Sequence, residues 1–141
     1  MKPLLALFLA LPSLAMAELH EVKMLNRNAT GAMVFEPDFI AAQPGDTIRF
    51  LATDPGHNAA SIAGMLPDGA ERFIGRIDEE IEITLHAEGL YGVKCSPHVM
   101  MGMVMLIRVG DAPLSPAALP EDLPARARER FETILARETA D

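Results

Sequence analysis

Cys95, His98 and Met103 follow one another in the stretch Tyr91-Gly92-Val93-Lys94-Cys95-Ser96-Pro97-His98-Val99-Met100-Met101-Gly102-Met103, in the order C-x-x-H-x-x-x-x-M. Thiolate, imidazole and thioether form a mixed soft and borderline donor set, and that set suits copper better than any other common metal. A trigonal copper site takes one thiolate, two imidazoles and a weak, longer thioether bond, so a second histidine has to come from elsewhere in the chain. His57, in the loop Asp54-Pro55-Gly56-His57-Asn58, is the candidate.

Each of these residues has a plainer reading. A free cysteine is often an inert small hydrophobe and Met103 an ordinary core residue. The Cys-His couple is also the couple of thiol catalysis. Three residues apart on a tight loop, however, Cys95 and His98 converge on one ion more naturally than on a substrate, and the joint pattern with His57 favours copper. All four donors are protein side chains and leave no evident open position for a substrate, so electron transfer is expected and an enzyme is not.

The compartment supports the same reading. Lys2 precedes the apolar run Leu4 to Leu11, and Ala15-Met16-Ala17 supplies small residues at the cleavage positions. Residues 1–17 therefore read as a secretory signal peptide cut before Glu18. The run is too short to span a bilayer, and no later segment is a membrane candidate. Removing 17 of the 141 residues leaves 124, enough for one domain with a single core. A lone thiol exported to an oxidising compartment is a hazard unless it is engaged, and metal ligation engages it.

The formal charge of −8 becomes −9 once Lys2 leaves with the leader. Phosphate binding relies on clustered Lys and Arg, so nucleic acid is not an expected partner. Trp is absent and Tyr91 is the only tyrosine, which removes an aromatic platform for stacking bases.

The elements that must position the donors are short strands separated by Pro and Gly, which points to an all-β antiparallel sandwich or barrel over residues 18–110. Strands are expected over 19–24, 32–35, 39–42, 47–53, 79–86, 90–95 and 103–109, with an irregular stretch over 61–73 that has room for one short helix. Ile81, Ile83 and Leu85 alternate with Glu80, Glu82 and Thr84 in the clearest strand pattern of the chain. Residues 111–141 shift to Ala, Pro and charge, an extension of the same domain. Ser115-Pro116 can open a turn of helix and Pro124 a longer helix, whose Ala127, Phe131, Ile134 and Leu135 share one packing face.

Further stretches carry a resemblance. Met24-Leu25-Asn26, Gly31-Ala32-Met33-Val34-Phe35-Glu36-Pro37, Pro44-Gly45-Asp46-Thr47, Gly56-His57-Asn58, Val93-Lys94-Cys95-Ser96-Pro97-His98 and Met101-Gly102-Met103 resemble the cupredoxin family, most closely the pseudoazurins. Plastocyanins share the C-x-x-H-x-x-x-x-M spacing, and the helical extension with Met-Gly-Met favours the pseudoazurins. The resemblance implies a Greek-key β-sandwich with C-terminal helices packed on it. It also implies a type 1 copper ion held by His57, Cys95 and His98, with Met103 as the axial donor. In that family the amide after the first histidine, here that of Asn58, bonds the cysteine sulfur, while the Asn side chain ties the two ligand loops. Met33 is implied to lie near His98, and Pro97 with Met100 and Met101 to form the apolar rim of an exposed electron port.

The expected function is a periplasmic one-electron carrier cycling Cu(II) and Cu(I), a monomer that docks transiently with redox proteins such as cytochromes. The partner that the resemblance implies is a copper nitrite reductase of denitrification. Pseudoazurins ring the exposed histidine with lysines, whereas Pro55 and Ile74 stand where positive residues are expected. Lys94, Arg27, Arg49 and Arg76 are left as candidates for a basic face. The alternative is a copper delivery or storage protein, supported by the extra Met100, Met101 and Met105.

Overall fold

The structure, a computed structural model, describes residues 15–140. Most of the expected leader therefore lies outside the described residues. In chain order the strands are β1 (Leu19–Asn28), β2 (Gly31–Glu36), β3 (Phe39–Ala42), β4 (Thr47–Leu51), β5 (Ala60–Ser61), β6 (Ile81–Thr84), β7 (Gly89–Lys94) and β8 (Val104–Val109), followed by helix α1 (Ala125–Thr139). They form two four-stranded sheets, β2-β1-β4-β6 and β3-β8-β7-β5. Among the described residues no helix is long and apolar enough to cross a membrane.

The expectation of a purely antiparallel sandwich is corrected. β1 runs parallel to β4, with Leu19 opposite Thr47 and Lys23 opposite Leu51, and β3 runs parallel to β8, with Phe39 opposite Leu106. Both pairings join strands distant in sequence, as a Greek key that passes the chain between sheets requires. Alternation of side chains has the same period in either direction, so the pattern did not carry this information. β1 also continues past Met24 to Asn28, because its second half pairs with β2 across the hairpin at Ala29 and Thr30. No helix forms over residues 61–73; the Ser61 amide instead donates to the Phe73 carbonyl at 2.9 Å.

Two apolar cores result. The larger lies between the sheets and gathers Val22, Met24, Phe35, Ile48, Phe50 and Leu85 with Tyr91, Val93 and Ile107; Cys95 and Met103 belong to it. The smaller lies between the second sheet and α1, where Ala127, Phe131, Ile134 and Leu135 cover Val104, Leu106, Ile62 and Met65. Helix spacing places those four residues on one face, as the sequence pattern required, and Phe131 is fully buried. Burial of one such aromatic ring contributes about 1.5–3 kcal/mol. β8 is consequently buried on both faces, with Met105 and Ile107 turned to the first core and Val104 and Leu106 to the second.

Candidate metal centre

Backbone hydrogen bonds fix the loop between β7 and β8. The Cys95 amide donates to the Met103 carbonyl at 3.0 Å, the His98 amide returns to the Cys95 carbonyl at 3.1 Å, and the Met103 amide donates to the His98 carbonyl at 3.2 Å. Between them Ser96–Met101 forms a 3-10 turn with Pro97 as its second residue, where the missing amide hydrogen costs nothing. Gly102 ends it at φ +87, and a Cβ there would lie 2.9 Å from the Arg126 carbonyl oxygen. Only glycine lets the ligand loop close this tightly against the start of α1. The His57 loop is held from another side: the Gly56 amide donates to Asp78 Oδ1 at 2.7 Å, and the Asp78 amide to the His57 carbonyl at 2.9 Å.

These loops bring three donor atoms face to face. His57 Nδ1 lies 3.1 Å from His98 Nδ1 and 3.7 Å from Cys95 Sγ, and Cys95 Sγ lies 3.4 Å from His98 Nδ1. The equidistant point in the plane of the three atoms is about 2 Å from each, a metal–nitrogen bonding distance and slightly inside the ~2.3 Å usual for sulfur. Met103 is fully buried in the same core as Cys95. His57 is likewise fully buried, whereas His98 is only half-buried.

The protonation pattern fits a metal. His57 Nε2 lies 2.8 Å from the Asn26 amide oxygen, which can only accept; assigned accordingly, Nε2 carries the hydrogen and Nδ1 presents its lone pair to the site. Burial lowers the His57 pKa, with a further contribution from His98, so the ligating neutral ring is favoured. Burial pushes the Cys95 thiol up, against the lowering effect of hydrogen bonds from the Asn58 and His98 amides. A coordinated cation overrides that desolvation and holds the sulfur as thiolate.

The Asn58 side chain bonds across the loops. Its Oδ1 accepts from the Ser96 amide at 2.6 Å, while its Nδ2 donates to Ser96 Oγ at 3.1 Å and to the Gly75 carbonyl at 2.9 Å. One buried side chain thus ties three loops. Met33, half-buried against the main core, adopts φ +53, and its carbonyl accepts from Arg130 of α1 at 2.8 Å. Pro97 is exposed beside His98, as are Met100 (70%) and Met101 (45%). Met105 is buried in the main core, away from the exposed methionines. Arg49 is corrected: it pairs with Glu82 at 2.7 Å and Glu21 at 3.6 Å on the outer face of the first sheet, and contributes no free charge to a basic face. Asn26 has no role in the sequence reading, since nothing in the spacing of β1 marks its side chain as the partner of His57.

A profile of the family described as copper binding proteins, plastocyanin/azurin family, matches residues 22–110. A pseudoazurin of Paracoccus pantotrophus is 50% identical over 132 residues, spanning 93% of this chain and 91% of that one. The chain belongs to the pseudoazurins. The solved pseudoazurin of Methylobacterium extorquens AM1 superposes with a TM-score of 0.79 at 41% identity, over 86% of this chain and 99% of that one. A pseudoazurin from Sinorhizobium superposes at 0.82 with 44% identity, over 87% and 98%. As a pseudoazurin the protein is a copper-binding electron carrier with a cupredoxin fold, it works with redox partners, and it is not an enzyme.

Proposed function

We propose that the protein is a periplasmic one-electron carrier in which His57, Cys95 and His98 hold a single type 1 copper ion, with Met103 as the weaker axial donor. The observation that carries this reading is the facing triangle of two imidazole nitrogens and one sulfur, each edge between 3.1 and 3.7 Å. Bound there, copper supplies a Cu(II)/Cu(I) couple. The chain keeps its donors nearly still: Asn26 orients His57, Asn58 locks the Cys95 loop to the His57 loop, and the main-chain bonds around Pro97 set His98. His57, Cys95 and Met103 exclude water, which leaves the half-buried ring of His98, beside exposed Pro97, Met100 and Met101, as the way out for the electron.

Residues 1–17 serve as the export signal, cut before Glu18, and residues 18–110 with the extension 111–141 work as one domain. The carrier acts as a monomer that donates to a respiratory or denitrification reductase, such as a copper nitrite reductase, and is recharged by a cytochrome. Copper delivery or storage is the second reading, favoured by the two exposed methionines.

Titration of the apo-protein with Cu(II) separates the two. One equivalent is expected to give an intense blue colour that ascorbate bleaches reversibly, and Cys95→Ser is expected to abolish it. Colourless binding of Cu(I) alone, or a Cys95→Ser variant that stays blue, overturns the carrier assignment.

A further inference from the structure

Asp46 is a buried acid that the metal centre does not use. It stands just before β4, at the end away from the His57 loop, and its side chain is 5% exposed. Its Oδ1 accepts from the backbone nitrogen of Glu18 at 2.9 Å; its Oδ2 accepts from the Gln43 amide at 2.9 Å and lies 2.9 Å from His20 Nε2. The flanking main chain is locked as well, with the Thr47 amide on the Glu18 carbonyl at 2.9 Å and the Leu85 amide on the Asp46 carbonyl at 2.8 Å. A buried carboxylate is costly unless donors and counter-charge surround it. Burial raises the Asp46 carboxyl, yet the Gln43 and Glu18 nitrogens and His20 together hold it below its ordinary value.

The donor at Glu18 has a second property: it is the nitrogen of the bond at which the leader is expected to be cut. Ala15, Met16 and Ala17 are exposed, Met16 at 90%, so the bond before Glu18 is approachable while the nitrogen after it is already seated. We propose that Asp46 is the receptor for the α-ammonium group of Glu18, so that removal of the leader turns a neutral amide contact into a partly buried ion pair that pins the start of β1. The inference rests on the cleavage site assigned above. Hydrolysis consumes one water: the Ala17–Glu18 C–N bond breaks, Ala17 leaves as a carboxylate with the leader, and the freed nitrogen takes up protons to become the ammonium.

An α-amine has an ordinary pKa of about 7.7–8.0, and an adjacent carboxylate raises it in the folded state. Stability from the pair is therefore fully present below pH ~8 and is lost as pH rises through the raised folded value. The other titratable groups at the site are His20 and the Glu18 side chain; β6 brings only the Thr84 hydroxyl, which bonds Thr47, and the Leu85 backbone beyond it.

The test compares copper-loaded protein beginning at Glu18 with the same protein retaining Ala17, each also as Asp46→Asn. The Glu18 chain is expected to unfold at higher temperature at pH 7, with an unfolding constant lower by about tenfold. The gap should close towards pH 10 and be absent in the Asp46→Asn pair. Equal stability of the two chains at pH 7, or a gap that ignores pH, overturns the ion pair. Should Asp46→Asn not fold, the α-amine is titrated in the unaltered Glu18 chain by its rate of acetylation, and a value no higher than that of a free amine overturns the pair. A zinc-induced rise in melting temperature that His20→Ala removes would also overturn it, since the cluster would then be a cation site. Sequencing the exported protein is the separate check: an N-terminus other than Glu18 refutes the cleavage site, and with it the role in the cell, independently of the stability comparison.

Discussion

The two sheets face different surroundings. The outer face of β2-β1-β4-β6 is open to water, where Arg49 bridges Glu82 and Glu21, whereas the outer face of β3-β8-β7-β5 lies under α1. The proposed metal donors divide in a related way. Cys95, His98 and Met103 come from the connection of β7 to β8 on the braced sheet, whereas His57 comes from the loop that crosses from β4 of the open sheet to β5 of the braced one. Stiffness accordingly has two sources. Three donors are held by apolar packing and their own main-chain bonds, while the fourth is held by polar ties from Asn26, Asn58 and Asp78.

The strongest way to break that contrast is to remove the brace. Phe131→Ala leaves a cavity between α1 and β8, and the expected loss is about 3–5 kcal/mol in urea unfolding of the apo-protein. Arg126 of the same helix meets the ligand loop at Gly102, so the blue absorption of surviving protein should also broaden. A loss under about 1 kcal/mol would mean that the helix merely rests on the sheet. Removing the polar tie comes next. Asn58→Ala strands the buried Gly75 carbonyl, at about 1–3 kcal/mol, and leaves the less buried Ser96 amide to water. Copper affinity should fall about 10–100-fold, as is usual when a partner just outside the ligands is lost. Asn58→Asp retains the acceptor for Ser96 but not the donor to Gly75, so it should lie between. Copper affinity unchanged in Asn58→Ala would leave the His57 side needing no tie.

The donors were legible because their types are scarce: one cysteine, four histidines and a fixed spacing leave few ways to build a soft site. The packing face of α1 was legible for a different reason, since Ala127, Phe131, Ile134 and Leu135 recur at helical period, whereas residues 18–110 show short strand-length patterns. The parallel pairings of β1 with β4 and β3 with β8 were not legible, because direction leaves no trace in a period of two. β8 hid its second face in the same way. Its run Val104-Met105-Leu106-Ile107 is apolar throughout because the helix that covers half of it lies beyond the turn in sequence. Asn26 was passed over and Arg49 misjudged because a polar residue on a strand does not announce its partner. One turned out to orient a ligand and the other to bind two carboxylates.

The smallest effect sharpens the contrast from the other side. Arg49 is exposed enough that its pairs with Glu82 and Glu21 exchange one set of charge contacts for solvation, and exposed pairs of this kind contribute little. Arg49→Ala is therefore expected to leave the urea midpoint and the blue spectrum unchanged. The rate of electron transfer to an acidic partner at low salt should fall only slightly, because Arg49 sits in a cluster that Glu82 and Glu21 already make net negative and so offers such a partner no attractive patch. A clear drop in that rate would restore Arg49 to a docking face. The open face would then take part in partner recognition, and the contrast between an outer face covered by α1 and one that only meets water would fail.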